Sequence, residues 1–171
     1  MGTNLLFSIF SFVLFGTLLL SDNNIVTNSI QLSAETEVSN AAFGLAQSVI
    51  DEAKTKAFDE STVAGEVTDS TFMSSTLGPE GGESISMPDT LSASGYRSAS
   101  TYNDVDDYNG YQRLIRLSSQ KGDTVRVKVD YTNITSPDAV LSGKNYCKKM
   151  TVTVSSQFLP RSYSFSYVFS Y

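Results

Sequence analysis

The 171-residue chain has no histidine and no tryptophan, a single cysteine, Cys147, and four prolines, none of them before Pro79. Without histidine, the usual general base, any Ser-His-Asp or Cys-His arrangement and the commonest zinc ligand are excluded. One cysteine rules out an intramolecular disulfide and any CxxC metal or redox motif. Flanked by Lys148 and Lys149 in KNYCKKM, it reads either as a reactive thiol or as a half-buried strand residue, and the second is the expectation. No continuous basic run is present, and phosphate contacts need clustered lysine and arginine, so nucleic acid is not an expected partner. GPEGGE (Gly78–Glu83) lacks the lysine and the strand-to-helix context of a phosphate loop. The acidic pairs Asp51–Glu52 and Asp59–Glu60 are adjacent near a helix end rather than opposed across a cleft, and are expected to be solvated or paired with Lys54 and Lys56. No catalytic residue, no cofactor and no enzyme activity are expected.

The formal charge of -6 is unevenly spread. Met1 to Gly110 holds 15 acidic and 3 basic residues, whereas Tyr111 to Tyr171 holds 3 acidic and 9 basic. Such opposites can dock the C-terminal part on its own helix or draw one subunit to the next. Chance segregation of surface charge is the plain alternative.

Thr3 to Leu20 carries no ionisable side chain. As helix it spans about 27 Å, close to the thickness of a bilayer core. No lysine or arginine precedes it and SDNN follows, a poor match to a cleaved secretory signal. The pattern predicts a retained anchor, or a segment packed with its equivalents in other subunits, with Leu5, Leu6, Phe7, Ile9, Phe10, Phe12, Val13, Leu14, Phe15, Leu18, Leu19 and Leu20 as the membrane or assembly surface.

Beyond it, Val38, Ala42, Leu45, Val49 and Ala53 recur at helical spacing, predicting helix to about Ala57 with a kink or a short melted section at Asn23, Asn24, Thr27 and Asn28. Residues 61–103 are rich in Ser, Thr, Gly and Pro and read as a variable surface connection, with VAGEV and the run around Phe72 as candidate short strands. Alternation of period two then marks YQRLIRL, TVRVKVDY, MTVTVSS and RSYSFSYVFSY as about four strands. Turn-rich links such as SQKGD make them antiparallel, and Tyr163, Phe165, Tyr167 and Phe169 are expected in the core. The predicted class is α+β: a long N-terminal helix, transmembrane (1–21) then amphipathic (22–60), a loop region (61–103) and an antiparallel sheet (104–171) on which the helix packs.

DVDDYNGY places Asp104, Asp106, Asp107 and Asn109 as oxygen donors in a tight turn at Gly110. These are weak calcium candidates, because Tyr108 stands where an EF-hand loop needs its third ligand. An acidic turn whose carboxylates accept backbone N–H bonds is the preferred reading, so no metal is expected. Asn133 in NIT matches the N-glycosylation pattern and reads as accidental.

LAQSVIDEAKTKAFDE (Leu45–Glu60), DVDDYNGY (Asp104–Tyr111) and CKKMTVTVS (Cys147–Ser155) follow one another along the chain. In order and spacing they resemble minor type IV pilins of the MSHA type. The resemblance implies a pilin-like fold, other pilin-like subunits as partners, and an N-terminal helix held in the bacterial inner membrane before assembly and in the filament core afterwards, with the remaining domain outside the cytoplasm. In that family, processing follows a glycine and the fifth mature residue is a glutamate that pairs with a neighbour's amine. Here Gly2 and Thr3 are the only processing candidates, and Phe7 stands in the place of the glutamate. The expectation is a minor or tip-located subunit of a pilus-like or pseudopilus filament. Its rival is a single-pass anchored binding module, an adhesin or receptor, that does not assemble.

Overall fold

A computed structural model describes residues 2–115, 122–157, 159 and 161–171. The chain divides into two compact units, Met1–Ser39 and Asn40–Tyr171. Helix α1 runs over Gly2–Ala53. It is followed by α2 (Glu60–Val63), β1 (Asp89–Thr90), α3 (Arg97–Thr101), a 3-10 turn (Asp106–Tyr108), β2 (Gln112–Ile115), β3 (Asp123–Tyr131), β4 (Cys147–Ser155) and β5 (Tyr163–Ser170). The strands form one five-stranded sheet in the order β1-β2-β3-β4-β5. β2 to β5 are antiparallel, and β1 lies parallel to β2. The architecture is α+β, as expected, with the C-terminal part of α1 on the sheet.

The first unit is helix alone. No proline interrupts it, and the Ser8, Thr17 and Thr27 hydroxyls bond back to the carbonyls of Asn4, Leu14 and Asn23. Those back-bonds satisfy polar side chains without opening the backbone, so α1 runs through Asn23, Asn24, Thr27 and Asn28 as regular helix and the expected melted section is not there. Leu5 to Leu20 presents its apolar side chains exposed, and the helix is long and apolar enough to cross a membrane. Gly2 and Thr3 belong to its first turn.

In the second unit, α1 buries Ala42, Ala46, Val49, Ile50 and Ala53. Three of the five are alanine, which lets the helix backbone sit close to the sheet. Leu45 packs partly against the same core. Facing them are Val125, Val127 and Val129 of β3 with Val154, Val152 and Met150 of β4, paired in register on one face of the sheet. Each fully buried side chain of this size contributes roughly 1.5–3 kcal/mol.

Several expectations change. α1 stops at Ala53, and 54–59 leave the helix, with Ala57 bridged to Asp104. The sheet has a fifth strand, β1, drawn from the stretch read as loop, while VAGEV and the Phe72 run form no strand. Residues 61–103 do more than cover the surface, since Met73, Asp89, Ser98 and Tyr102 are buried. In β5, Phe165 and Phe169 pack against the core, but Tyr167 is 39% exposed, with the Lys54 ammonium 4.3 Å from its ring centroid. β5 is an edge strand, so part of its aromatic face borders solvent rather than helix. Arg116 and Leu117 at the end of YQRLIRL, and 119–121 of SQKGD, lie outside the described residues.

Candidate functional site

The chain leaving α1 is held by a parallel bridge between Ala57 and Asp104. Ala57 N–H donates to Asn103 O at 3.0 Å and Val105 N–H to Ala57 O at 3.0 Å. AFDE therefore runs beside DVDDY, and Asp59, Asp104, Asp106 and Asp107 are buried along this contact.

Lys148 is fully buried although it is a lysine. It falls in phase with Met150, Val152 and Val154, so strand alternation aims it into the core. Its ammonium donates to Phe58 O at 2.9 Å, to Asp59 Oδ2 at 2.6 Å and to Asp106 Oδ1. All of its N–H bonds are thus satisfied. Asp59 also accepts from the backbone and hydroxyls of Ser61 and Ser74 and from the Tyr131 hydroxyl at 3.0 Å. Burial works against its ionisation, but Lys148 and these donors outweigh that and hold the carboxyl well below the usual range. Burial pushes Asp106 up, against the pull of Lys148.

A second polar network ties the helix end to β2. Arg113 pairs with Glu52 at 2.6 Å and donates to the Tyr111 hydroxyl at 2.8 Å and to Ser98 Oγ at 3.1 Å. Glu52 accepts further from the Tyr108 hydroxyl at 2.9 Å and Ser98 Oγ at 2.6 Å. Tyr102, Tyr108 and Tyr111 pack edge to face, with centroids 5.0 to 5.6 Å apart. The buried pairs of Arg113 and Lys148 each join the basic C-terminal part to the acidic part before it.

The third cluster has no cation. Glu60, at the start of α2, and Glu80 and Glu83, at the two ends of a turn, bring carboxylate oxygens within 4.8 Å of one another. The turn is closed by Glu83 N–H to Glu80 O at 3.0 Å, with Gly82 at φ +111°. Asn103 Nδ2 donates to Glu83 Oε1 at 2.5 Å. Fully buried Asp107 takes the N–H groups of Asn103 and Asp104 on Oδ2, at 2.9 and 3.3 Å. Its Oδ1 has no hydrogen-bond partner, and neither do Glu60 Oε2, Glu80 Oε2, Glu83 Oε2, Asn103 Oδ1 and Asp104 Oδ2. Burial, and then the Asp107 carboxylate beside it, raises Glu80 and pushes Glu83 up to about 7. The same two causes push Asp104 up to about 7. Among the described residues none of Glu60, Glu80, Glu83 and Asp107 enters an ion pair.

The calcium candidates of the acidic turn thus separate. Asp106 belongs to Lys148. Asn109 spends its amide on the backbone, donating to Leu77 O at 2.9 Å and accepting from Val129 N–H at 3.1 Å. Asp104 accepts from Asp107 N–H at 3.1 Å, the backbone capping expected of an acidic turn, and Gly110 has φ +82°. Asp107 lies beside Glu80 and Glu83. Asp51 is paired with Lys54 at 3.0 Å as expected, but Glu52 and Asp59 are not solvated, and Lys56 donates to Ala99 O. Cys147 opens β4 and is buried as a free thiol. Sequence reasoning missed Glu60, Glu80 and Glu83; the one available sign was EGGE, which returns two carboxylates to the same side of a tight turn.

Comparison of the chain with family models, curated proteins and solved structures found no match.

Proposed function

We propose that the chain is a structural, non-catalytic subunit of a type IV pilus-like or pseudopilus filament, minor or tip-located, anchored in the bacterial inner membrane with its second unit outside the cytoplasm. The observation that carries this reading is α1 itself. One helix combines an uncharged, exposed apolar run over Thr3–Leu20 with the buried stripe of Ala42, Ala46, Val49, Ile50 and Ala53 on an antiparallel sheet. The apolar run needs lipid or other apolar helices to cover it. The three stretches that carry the pilin resemblance also meet in space: Asp59 of the first, Asp106 of the second and Lys148 of the third share one ammonium. Their joint occurrence answers a single structural requirement. Phe7 offers no carboxylate to a neighbour's amine, which suits a subunit at the end of a filament or few in number within it.

The test is to express the full chain with an antibody against the sheet domain, shear the cells, and fractionate filaments, membranes and soluble protein. Recovery in the sheared filament fraction, lost when 3–20 are deleted, is the expected result. Protein confined to membranes as monomers, with the deleted form keeping any surface-ligand binding, would overturn assembly in favour of the anchored binding module. Mass spectrometry of the N-terminal peptide from either fraction reports whether the chain is cut between Gly2 and Thr3.

A further inference from the structure

The carboxylates of Glu60, Glu80 and Glu83 lie within 4.8 Å of one another, and Asp107, from a third segment, lies beside Glu80 and Glu83, so folding brings the four together against their mutual repulsion. A protein interior tolerates such a group only with a counter-charge or with protons. The neighbouring cluster has found its counter-charge in Lys148, but among the described residues no lysine or arginine pairs with this one. Its oxygens are nonetheless aimed inward, since each of the four residues leaves one buried oxygen without a hydrogen-bond donor, and so does the Asn103 amide. Asp107 is itself fully buried, with its backbone-bonded oxygen fixed on one side and its unpartnered oxygen left over on the other.

This is the donor chemistry of a hard divalent cation. The three glutamate oxygens lie within 4.8 Å of one another, the span that two Ca–O bonds of about 2.4 Å allow. Several carboxylates and a neutral amide oxygen suit calcium, which takes six to eight oxygens in flexible geometry. Magnesium demands a tighter octahedron and keeps most of its water. We propose that Glu60, Glu80, Glu83 and Asp107, with the Asn103 amide oxygen, form a calcium site that clamps α2 and the Glu80–Glu83 turn onto the acidic turn before β2. The site lies wholly within Asn40–Tyr171 and does not depend on what the N-terminal helix assembles with.

The experiment uses the full chain in detergent micelles, stripped with EDTA at neutral pH. Calcium chloride is titrated by calorimetry, and thermal unfolding is followed with and without about 5 mM calcium or magnesium. The expected result is one calcium per chain and a saturable rise of several degrees in Tm, with a much smaller rise for magnesium. Glu80→Gln and Glu83→Gln should each weaken calcium binding by about tenfold or more. Because each removes an uncompensated carboxylate, both should fold, with a calcium-free Tm equal to or above that of the parent. Asp51→Asn, an exposed carboxylate paired only along its helix, should bind calcium as the parent does. No heat of binding and no Tm shift in the parent chain would overturn the site and assign the cluster to shared protons. A calcium response that both Gln variants keep in full would overturn it equally.

Discussion

Asp106 and Asp107 are consecutive residues of one buried 3-10 turn, and their surroundings are opposite. Asp106 meets the Lys148 ammonium, which it shares with Asp59. Asp107 accepts from backbone N–H groups and meets the Glu83 carboxyl, with Glu60 close by, and among the described residues no cation pairs with it. Burial is the same for both, so burial by itself does not tell a structural carboxylate from one that lacks its partner. The partner decides, and strand register decides the partner. Lys148 pairs with Tyr131 of β3 and Phe169 of β5, and that register sets its ammonium between the helix exit and the turn.

The sharpest way to break the contrast is to make Asp106 resemble Asp107. Lys148→Met removes the only cation from the compensated cluster and leaves Asp59 and Asp106 buried against each other. The loss should be about 3–5 kcal/mol in urea unfolding, the largest effect of any single change considered. Adding Asp59→Asn to that variant should recover part of the loss, because Asp59 is the carboxyl that Lys148 and its other donors hold ionised.

Arg113→Ala opens the other compensated network. Glu52 keeps the Tyr108 and Ser98 hydroxyls and its side chain is 16% exposed, so the expected loss is smaller, about 2–3 kcal/mol by the same measurement.

Asp89 sharpens the comparison through pH. It accepts from Ser98 N–H at 3.1 Å and the Tyr111 hydroxyl at 3.0 Å, with the Arg97 guanidinium 3.5 Å away. Burial opposes its charge, but these partners outweigh burial and leave its pKa lowered. A folded pKa below the unfolded value of about 3.9 means stabilisation that is full above that value and lost as pH falls through the folded one. Asp89→Asn should therefore cost about 1–2 kcal/mol at neutral pH, and the Tm gap to the parent should close as the pH drops below about 4.

The smallest effect belongs to the backbone of the turn. Gly110 has φ +82° and a Cβ there would meet nothing within 4 Å, so Gly110→Ala tests conformation without a clash. The expected loss is about 1 kcal/mol, seen as a small fall in Tm.

Much of the architecture was legible because periodicity reports burial directly. The valines of β3 and β4 are where alternation places them, and Ala42, Val49 and Ala53 of the expected helical stripe are buried, joined by Ala46 and Ile50, while Val38 and Leu45 are half-buried. The same alternation already put Lys148 on the apolar face of β4, one step before Met150, although a lysine there reads naturally as a flank of Cys147. Glu52 and Asp59, expected to be solvated or paired with Lys54 and Lys56, were misread for the converse reason, since nothing local distinguishes a carboxylate at a helix end that faces water from one that faces an arginine 61 residues away.

The sequence by itself determined the local properties of this protein: an uncharged helix able to cross a membrane, a one-sided helical stripe, strands with one apolar face, and a chain acidic first and basic last. Each follows from neighbours within a few residues, where spacing alone sets which face a side chain occupies. Only the tertiary structure decided which acidic residues receive a cation and which are left with one another. Glu60, Glu80, Glu83 and Asp107 are dispersed along the chain, and no periodicity connects them. Their meeting depends on where α1 ends, how Ala57 bridges to Asp104 and how the EGGE turn folds back, which are long-range contacts.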